Sequence, residues 1–327
     1  MDPTIRADGG ALSPIAPPPV EPGAADFEVN LVSLNQWQIA ARRFRRHKLA
    51  VFGTVLFLGI VAVAIILPFF APFDFYKVPD PVAHCPGAPN SLGSSGCPPS
   101  LQHFFGTTGG LQRDVFTIVV NGARLSLIIG VGAAMFAATL GAIVGGLAGF
   151  FGGWLDNVLM RIVDVLLSLP ILFVILVASK FLGGGSWISI ILVFGFLGWP
   201  PLARLVRSLF LTLRSEVFVE AARAVGVGSG RIIFRHILPN ALSPLIVATT
   251  LQVAAVIVTE AFVSFLGFGV DVTQPTWGNA LTGAVRFIPL GNWWWPLFPG
   301  LAIVLTVLGI NFVGDGLRDA LDPRSRY

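Results

Sequence analysis

Six long apolar runs, separated by short polar or charged clusters, set the pattern of this chain. They cover about Leu49 to Phe70, Leu125 to Phe151, Val158 to Leu182, Trp187 to Phe210, Ala241 to Phe265 and Pro296 to Gly314. At 1.5 Å per residue the first is about 33 Å long, enough for a hydrocarbon core of about 30 Å. It starts too far from the N-terminus, and runs too long, for the apolar core of a cleaved signal peptide. The pattern predicts an all-α membrane protein with six transmembrane helices.

Residues 1–36 carry Pro17-Pro18-Pro19 and no apolar periodicity, which predicts a disordered tail. Residues 37–48 read as a basic amphipathic helix at the membrane surface, and 49–70 as the first span. Residues 71–124 form a polar loop, and 125–327 a core holding five spans, a polar loop at 211–240 and a short C-terminal tail. In the second span Gly141, Gly145, Gly149 and Gly153 recur every fourth residue, a small-residue face that lets a neighbouring helix approach closely. Trp199-Pro200-Pro201 is expected to kink the fourth span or end its regular part. Arg161 and Asp164, one turn apart, are expected to form a local ion pair. Trp293-Trp294-Trp295 reads as an interfacial aromatic belt.

Composition agrees with this outline. Hydrophobic residues make up 54% and charged residues 12%, about half the charged share of a soluble protein. The net charge of +4 needs no nucleic acid to explain it. Basic residues gather in the tail and basic helix, around residues 204–235 and at the C-terminus. The opposite face would hold only Lys77, Arg113, Arg124, Lys180 and Arg286 of the 21. The positive-inside bias then places both termini and the 211–240 loop in the cytoplasm, and 71–124 outside.

The sequence lacks the common catalytic signatures. Lys48, Lys77 and Lys180 follow His, Tyr and Ser, so no P-loop exists, and neither His-Glu-x-x-His nor Gly-x-Ser-x-Gly occurs. The chain is read as non-catalytic, with no catalytic residue, metal site or cofactor of its own. Cys85 and Cys97 share the outer loop. In an oxidising compartment they would close a disulfide, and otherwise they stay free thiols. Ionisable groups inside spans are costly and usually functional, so Asp164 and Glu260 keep an ion-coupled carrier in view.

The 211–240 loop is the polar exception among these apolar runs. Helix formers over 213–225, then Gly226, Gly228 and Gly230, predict a short helix ended by a turn. A second short helix over 231–238 is expected to stop at Pro239. Glu220-Ala-Ala-x-x-x-Gly226 with Leu238-Pro239 resembles the cytoplasmic "EAA" loop of ABC-importer permeases. Arg235-His-Ile-Leu-Pro-Asn240, Glu260 to Gly269, Thr276-Trp-Gly-Asn279 and Asn311 to Pro323 are similar to the C-type permease subunit of dipeptide/oligopeptide and nickel transporters. The resemblance covers about residues 37–325. It implies the type I importer permease fold, with the loop acting as a coupling helix docked on an ATPase subunit.

By this resemblance Glu220, Ala221, Ala222, Arg223, Gly226, Leu238 and Pro239 face the ATPase. Partners would be a second, homologous B-type permease, two ATPases that bind ATP and Mg, and an extracytoplasmic binding protein, in a prokaryotic inner membrane. Each permease would supply half of the translocation pathway. Glu260 and Phe265 are placed at its outer mouth, and Asn311 and Asp315 at its inner end. Peptide is the cargo implied; nickel chelates or haem are the alternatives.

Overall fold

The computed structural model describes residues 36–70, 96–109, 113–182 and 185–321. The tail before residue 36, and Cys85, lie outside the described residues. The described chain is helical: α1 (Gln36–Arg46), α2 (Lys48–Ile66), α3 (Val115–Phe151), α4 (Gly153–Ser168), α5 (Ile171–Leu182), α6 (Trp187–Leu213), α7 (Val217–Ala224), α8 (Ser229–Ile232), α9 (Leu238–Phe265), α10 (Trp277–Thr282) and α11 (Trp294–Leu321). Among the described residues five segments are long and apolar enough to cross a membrane, and a sixth arises if the bent pair α4–α5 is one span.

The third apolar run is therefore not a straight helix. Its halves meet at 90°. Pro170 pushes Leu169 into extended backbone, with ψ 141°, and ends α4. The second span begins ten residues earlier than the hydropathy suggests. Asp114 caps α3 by accepting the Thr117 N–H at 2.7 Å, so Asn121 and Arg124 lie within the helix. Against expectation, α6 runs on as one helix through Pro200 and Pro201. The expected stop at Pro239 is also absent. A π-helical turn, Ile233–Ile237, leads straight into α9, whose first turn contains Pro239. Ser229–Phe265 is thus one continuous helical segment, and the wider π-helical turn stands immediately ahead of the proline, which removes one N–H from the ladder.

Helices α3 and α6 pack in parallel, α4 and α5 making the return between them. Gly141, Gly145 and Gly149 form the expected small-residue face, and α6 is the helix it admits. A Cβ at Gly141 would lie 2.7 Å from Leu202 Cβ, and one at Gly149 2.6 Å from Phe210 Cβ. At Gly145 it would strike the Ala203 carbonyl. Gly153 lies beyond the stripe, with nothing within 4 Å. Helices α2 and α11 approach in the same way, antiparallel, with Gly53 against Gly309 and Phe312, and Gly316 against Ala50.

Two ion pairs tie α6 to the bent pair. Arg207 holds Asp156 by a bidentate contact, with Nη2–Oδ2 at 2.6 Å, and Asp156 is buried. Asp164 pairs at 2.7 Å with Arg204 of α6 and not with Arg161 as expected. At the opposite end of the bundle, residues 96–109 fold onto the start of α3. Trp294 Nε1 donates to the Thr107 carbonyl and Trp295 Nε1 to that of Ala280. Both rings are buried, and only Trp293 of the expected belt is exposed. Cys97 is buried there. The first described helix, the end of α11 and α7 all lie at the other end, His47 reaching Asp319 at 3.3 Å.

This packing gives a direct test. Gly145→Ala should destabilise the folded protein by about 1–3 kcal/mol, the usual cost of overpacking. Gly59→Ala, in α2 with open space around it, should be neutral or slightly stabilising, since alanine is the better helix former. Thermal unfolding of the purified membrane protein in detergent reads both.

Candidate functional site

In the polar loop between α6 and α9, charge and exposed apolar surface meet outside the spans. Helix α7 is short and amphipathic. Val219 and Ala222, one turn apart, are buried and join a core cluster with Phe150, Val163, Phe210, Ile232 and Ile237. Arg214 fastens the loop to the end of α3, where its Nη1 donates to the carbonyls of Gly149 at 3.2 Å and Phe150 at 3.4 Å. Those are last-turn carbonyls, which have no acceptor role inside the helix. Arg223 lies over the Phe150 ring, its Cζ 5.8 Å from the centroid, a contact worth about 0.5–1 kcal/mol when exposed.

The end of α7 is a Schellman turn. Val227 N–H donates to the Ala222 carbonyl at 3.0 Å, and Gly226 N–H to that of Arg223 at 2.9 Å. Gly226 has φ +79°, where side chains other than glycine are strained. Val227, the next residue, packs on the same core cluster. The glycine thus turns the chain sharply while the helix stays anchored on both sides.

The expected docking residues separate into two groups. Glu220, Ala221, Arg223, Gly226 and Pro239 are exposed on the loop's outer surface. Ala222 is buried against the chain's own core, and Leu238 is half-buried beside it. Ala222 therefore gives close packing of α7 on its own subunit rather than on a partner. Sequence reasoning passed over three apolar side chains. Val217, Val225 and Phe234 are 78, 79 and 72% exposed, on a loop that also carries Glu216, Glu220, Arg223, Arg231 and Arg235. The signal available for them was an apolar residue out of phase with Val219 and Ala222.

The four expected pathway residues do not form one site. Glu260 is not at an open mouth: it is 1% exposed. Ser264 Oγ donates to its Oε1 at 2.8 Å, and Ser126 Oγ to its Oε2 at 3.4 Å. Ser126 Oγ in turn accepts the Trp277 N–H at 3.1 Å, and Trp277 Nε1 donates to the Val119 carbonyl. Asn279 Nδ2 donates to the carbonyls of Val270, Asp271 and Gln274. The 260–279 motif is thus a clamp joining α3, α9 and α10. Phe265 is half-buried beside a shallow apolar hollow with Phe262, Leu281 and Pro296. Asn311 is half-buried. Asp315 is exposed at the α1–α2 junction, in a hollow with His47, Leu49, Phe312, Arg318 and Asp319. No group of three or more His, Cys, Asp or Glu that could hold a metal occurs among the described residues.

Comparison with known proteins supplies the family. Residues 141–327 match the binding-protein-dependent transport system inner membrane components. Residues 35–86 match the N-terminal transmembrane domain of oligopeptide transport permease C. The chain is 39% identical to the dipeptide transport system permease protein DppC of Bacillus subtilis, over 90% of its length and 88% of the relative's. It is 37% identical to the oligopeptide transport system permease protein OppC of the same organism, over 94% and 96%. A protein of Brucella suis, provisionally named a peptide permease, is 40% identical over 88% and 90%. This chain therefore belongs to the inner-membrane permease subunits of ABC importers, in the C-type branch of the dipeptide and oligopeptide transporters.

Proposed function

We propose that this chain forms half of the translocation pathway of an ATP-driven importer of di- and oligopeptides, and that α7 receives the force that drives it. The observation that carries this reading is the surface of the 214–237 loop. Val217, Val225 and Phe234 expose apolar side chains among charges, which suits a protein groove better than water. Beneath them, Arg214, Val219 and Ala222 tie the loop to α3 and α6. A push on α7 is thereby delivered to two spans together, as a rigid body.

The chain has no nucleotide-binding loop, so ATP and Mg belong to two ATPase partners. The positive-inside bias puts α7, the first described helix and the end of α11 in the cytoplasm. A second permease of the B type completes the pathway, and a binding protein delivers solute at the outer end, where residues 96–109 and α10 lie. Peptide is favoured as cargo because the named relatives are peptide permeases. A carrier coupled to an ion gradient is disfavoured, because both acids that could relay protons are engaged: Asp164 with Arg204, and Glu260 in the clamp. The outer loop is closed by a Cys85–Cys97 disulfide in this reading.

Gly226→Val should uncouple the transporter. A β-branched residue at φ +79° costs about 1–3 kcal/mol of strain and should displace Val225 and Val227. Peptide uptake by the reconstituted complex should fall about tenfold or more, while the two permeases still co-purify and the ATPases still hydrolyse ATP. Wild-type uptake would contradict the docking role. Thiol labelling of the untreated protein should modify neither cysteine until reductant is added, whereas two reactive thiols would exclude the disulfide.

A further inference from the structure

Three mid-span features, one a break in the helix and two within continuous helices, meet around one cavity of about 290 Å³. The first is the break between α4 and α5, at Leu169. The second is the Pro200–Pro201 pair of α6, which removes the N–H groups that an unbroken helix would aim at the carbonyls of Phe196 and Leu197. The third is Gln252, an amide halfway along α9. Leu169, Leu197, Gly198, Pro201, Gln252 and Thr259 are among the residues lining the cavity. Thr259 spends its hydroxyl on the Ala255 carbonyl. The Gln252 amide makes no hydrogen bond among the described residues. Gly198 leaves it space: a Cβ there would lie 3.0 Å from Gln252 Nε2.

Polar groups without partners are expensive at this depth, and non-helical backbone is tolerated in a membrane only where it is buried in protein or lines a water-filled cavity. In transporters, discontinuous helices near the midplane mark solute sites. We propose that this cavity is a contact site for the main chain of the translocated peptide, which deepens and rests on the reading of the chain as a peptide permease. The freed carbonyl of Leu197, a residue of the cavity wall, accepts an N–H group of the passing peptide. The Gln252 amide donates to a peptide carbonyl or accepts a peptide N–H. The remaining wall is apolar, mostly leucine and isoleucine, which lets side chains of different kinds slide past. Contacts to the main chain alone would make passage indifferent to peptide sequence. Glu260, sealed in its clamp, takes no part.

The test uses the complete transporter in proteoliposomes, with radiolabelled tri-alanine as the probe. Gln252→Leu should lower uptake roughly fivefold, the effect of one lost hydrogen bond, with the yield of assembled complex and its ATPase activity unchanged. Gly198→Ala, which keeps the amide but pushes it aside, should lower uptake in the same direction and guards against a folding defect in the first variant. A photoreactive residue in place of Leu169, which is exposed, should cross-link to a labelled peptide during turnover. Wild-type transport of tri-alanine with unaltered uptake in both variants, or cross-linking at position 169 to the second permease alone, would overturn the cavity assignment while leaving the permease reading intact. A wild-type complex inert towards small peptides would overturn the cargo reading and this assignment with it.

Discussion

The close approach of α3 and α6 is the contact on which the rest of the described structure depends. It exists because Gly141, Gly145 and Gly149 present no side chains to Leu202, Ala203, Arg207 and Phe210. In a membrane there is little hydrophobic force between helices, so such close van der Waals packing does much of the holding. The same approach brings Arg207 onto Asp156 and Arg214 onto the last carbonyls of α3. Those two arginines brace α4 and the loop. The platform under α7, built from Phe150, Phe210 and Val163, is assembled by the same contact. Loosening the glycine stripe would therefore loosen the part proposed to receive force.

The two ends of the bundle are built on different principles. At one end, surface charge and exposed apolar side chains are held on a short helix that contributes little stability of its own. At the other, buried hydrogen bonds dominate: Glu260 with Ser264 and Ser126, Trp277 with Val119, and Trp294 with Thr107. A buried carboxyl is costly unless its hydrogen bonds are made, and here they come from serines on two helices. This arrangement is the one the proposed lever would need: a distal frame held by buried hydrogen bonds, and a handle with an exposed outer surface.

Much of this was legible in the sequence. The six apolar runs, the face of the glycine stripe and the turn at Gly226 each rest on local spacing, which a linear pattern preserves. The residues that carry the family resemblance are structural in part, since Glu260, expected at the pathway's outer mouth, is held with Trp277 and Asn279 in a clamp. The misses have physical causes. A hydropathy window averages across Leu169-Pro170, so a right-angled break looked like one span. Local spacing pairs Asp164 with its neighbour on the helix, whereas its partner Arg204 lies 40 residues away, beyond what spacing can show. Residue type places the tryptophans at 294 and 295 at the interface, whereas their indole N–H groups bond buried carbonyls. Ala222 shows why small residues are ambiguous in a sequence: they serve any close contact, inside a chain or between chains.

The coupling reading makes α7 the place where a partner's work enters the membrane, and its outer surface can be interrogated directly. A photoreactive amino acid replacing Val225, in the assembled transporter, should cross-link to an ATPase subunit, and the yield should change when ATP is added without hydrolysis. A cross-link to lipid alone, or a yield indifferent to nucleotide with the ATPases bound, would contradict the assignment of this helix as the point of energy transfer.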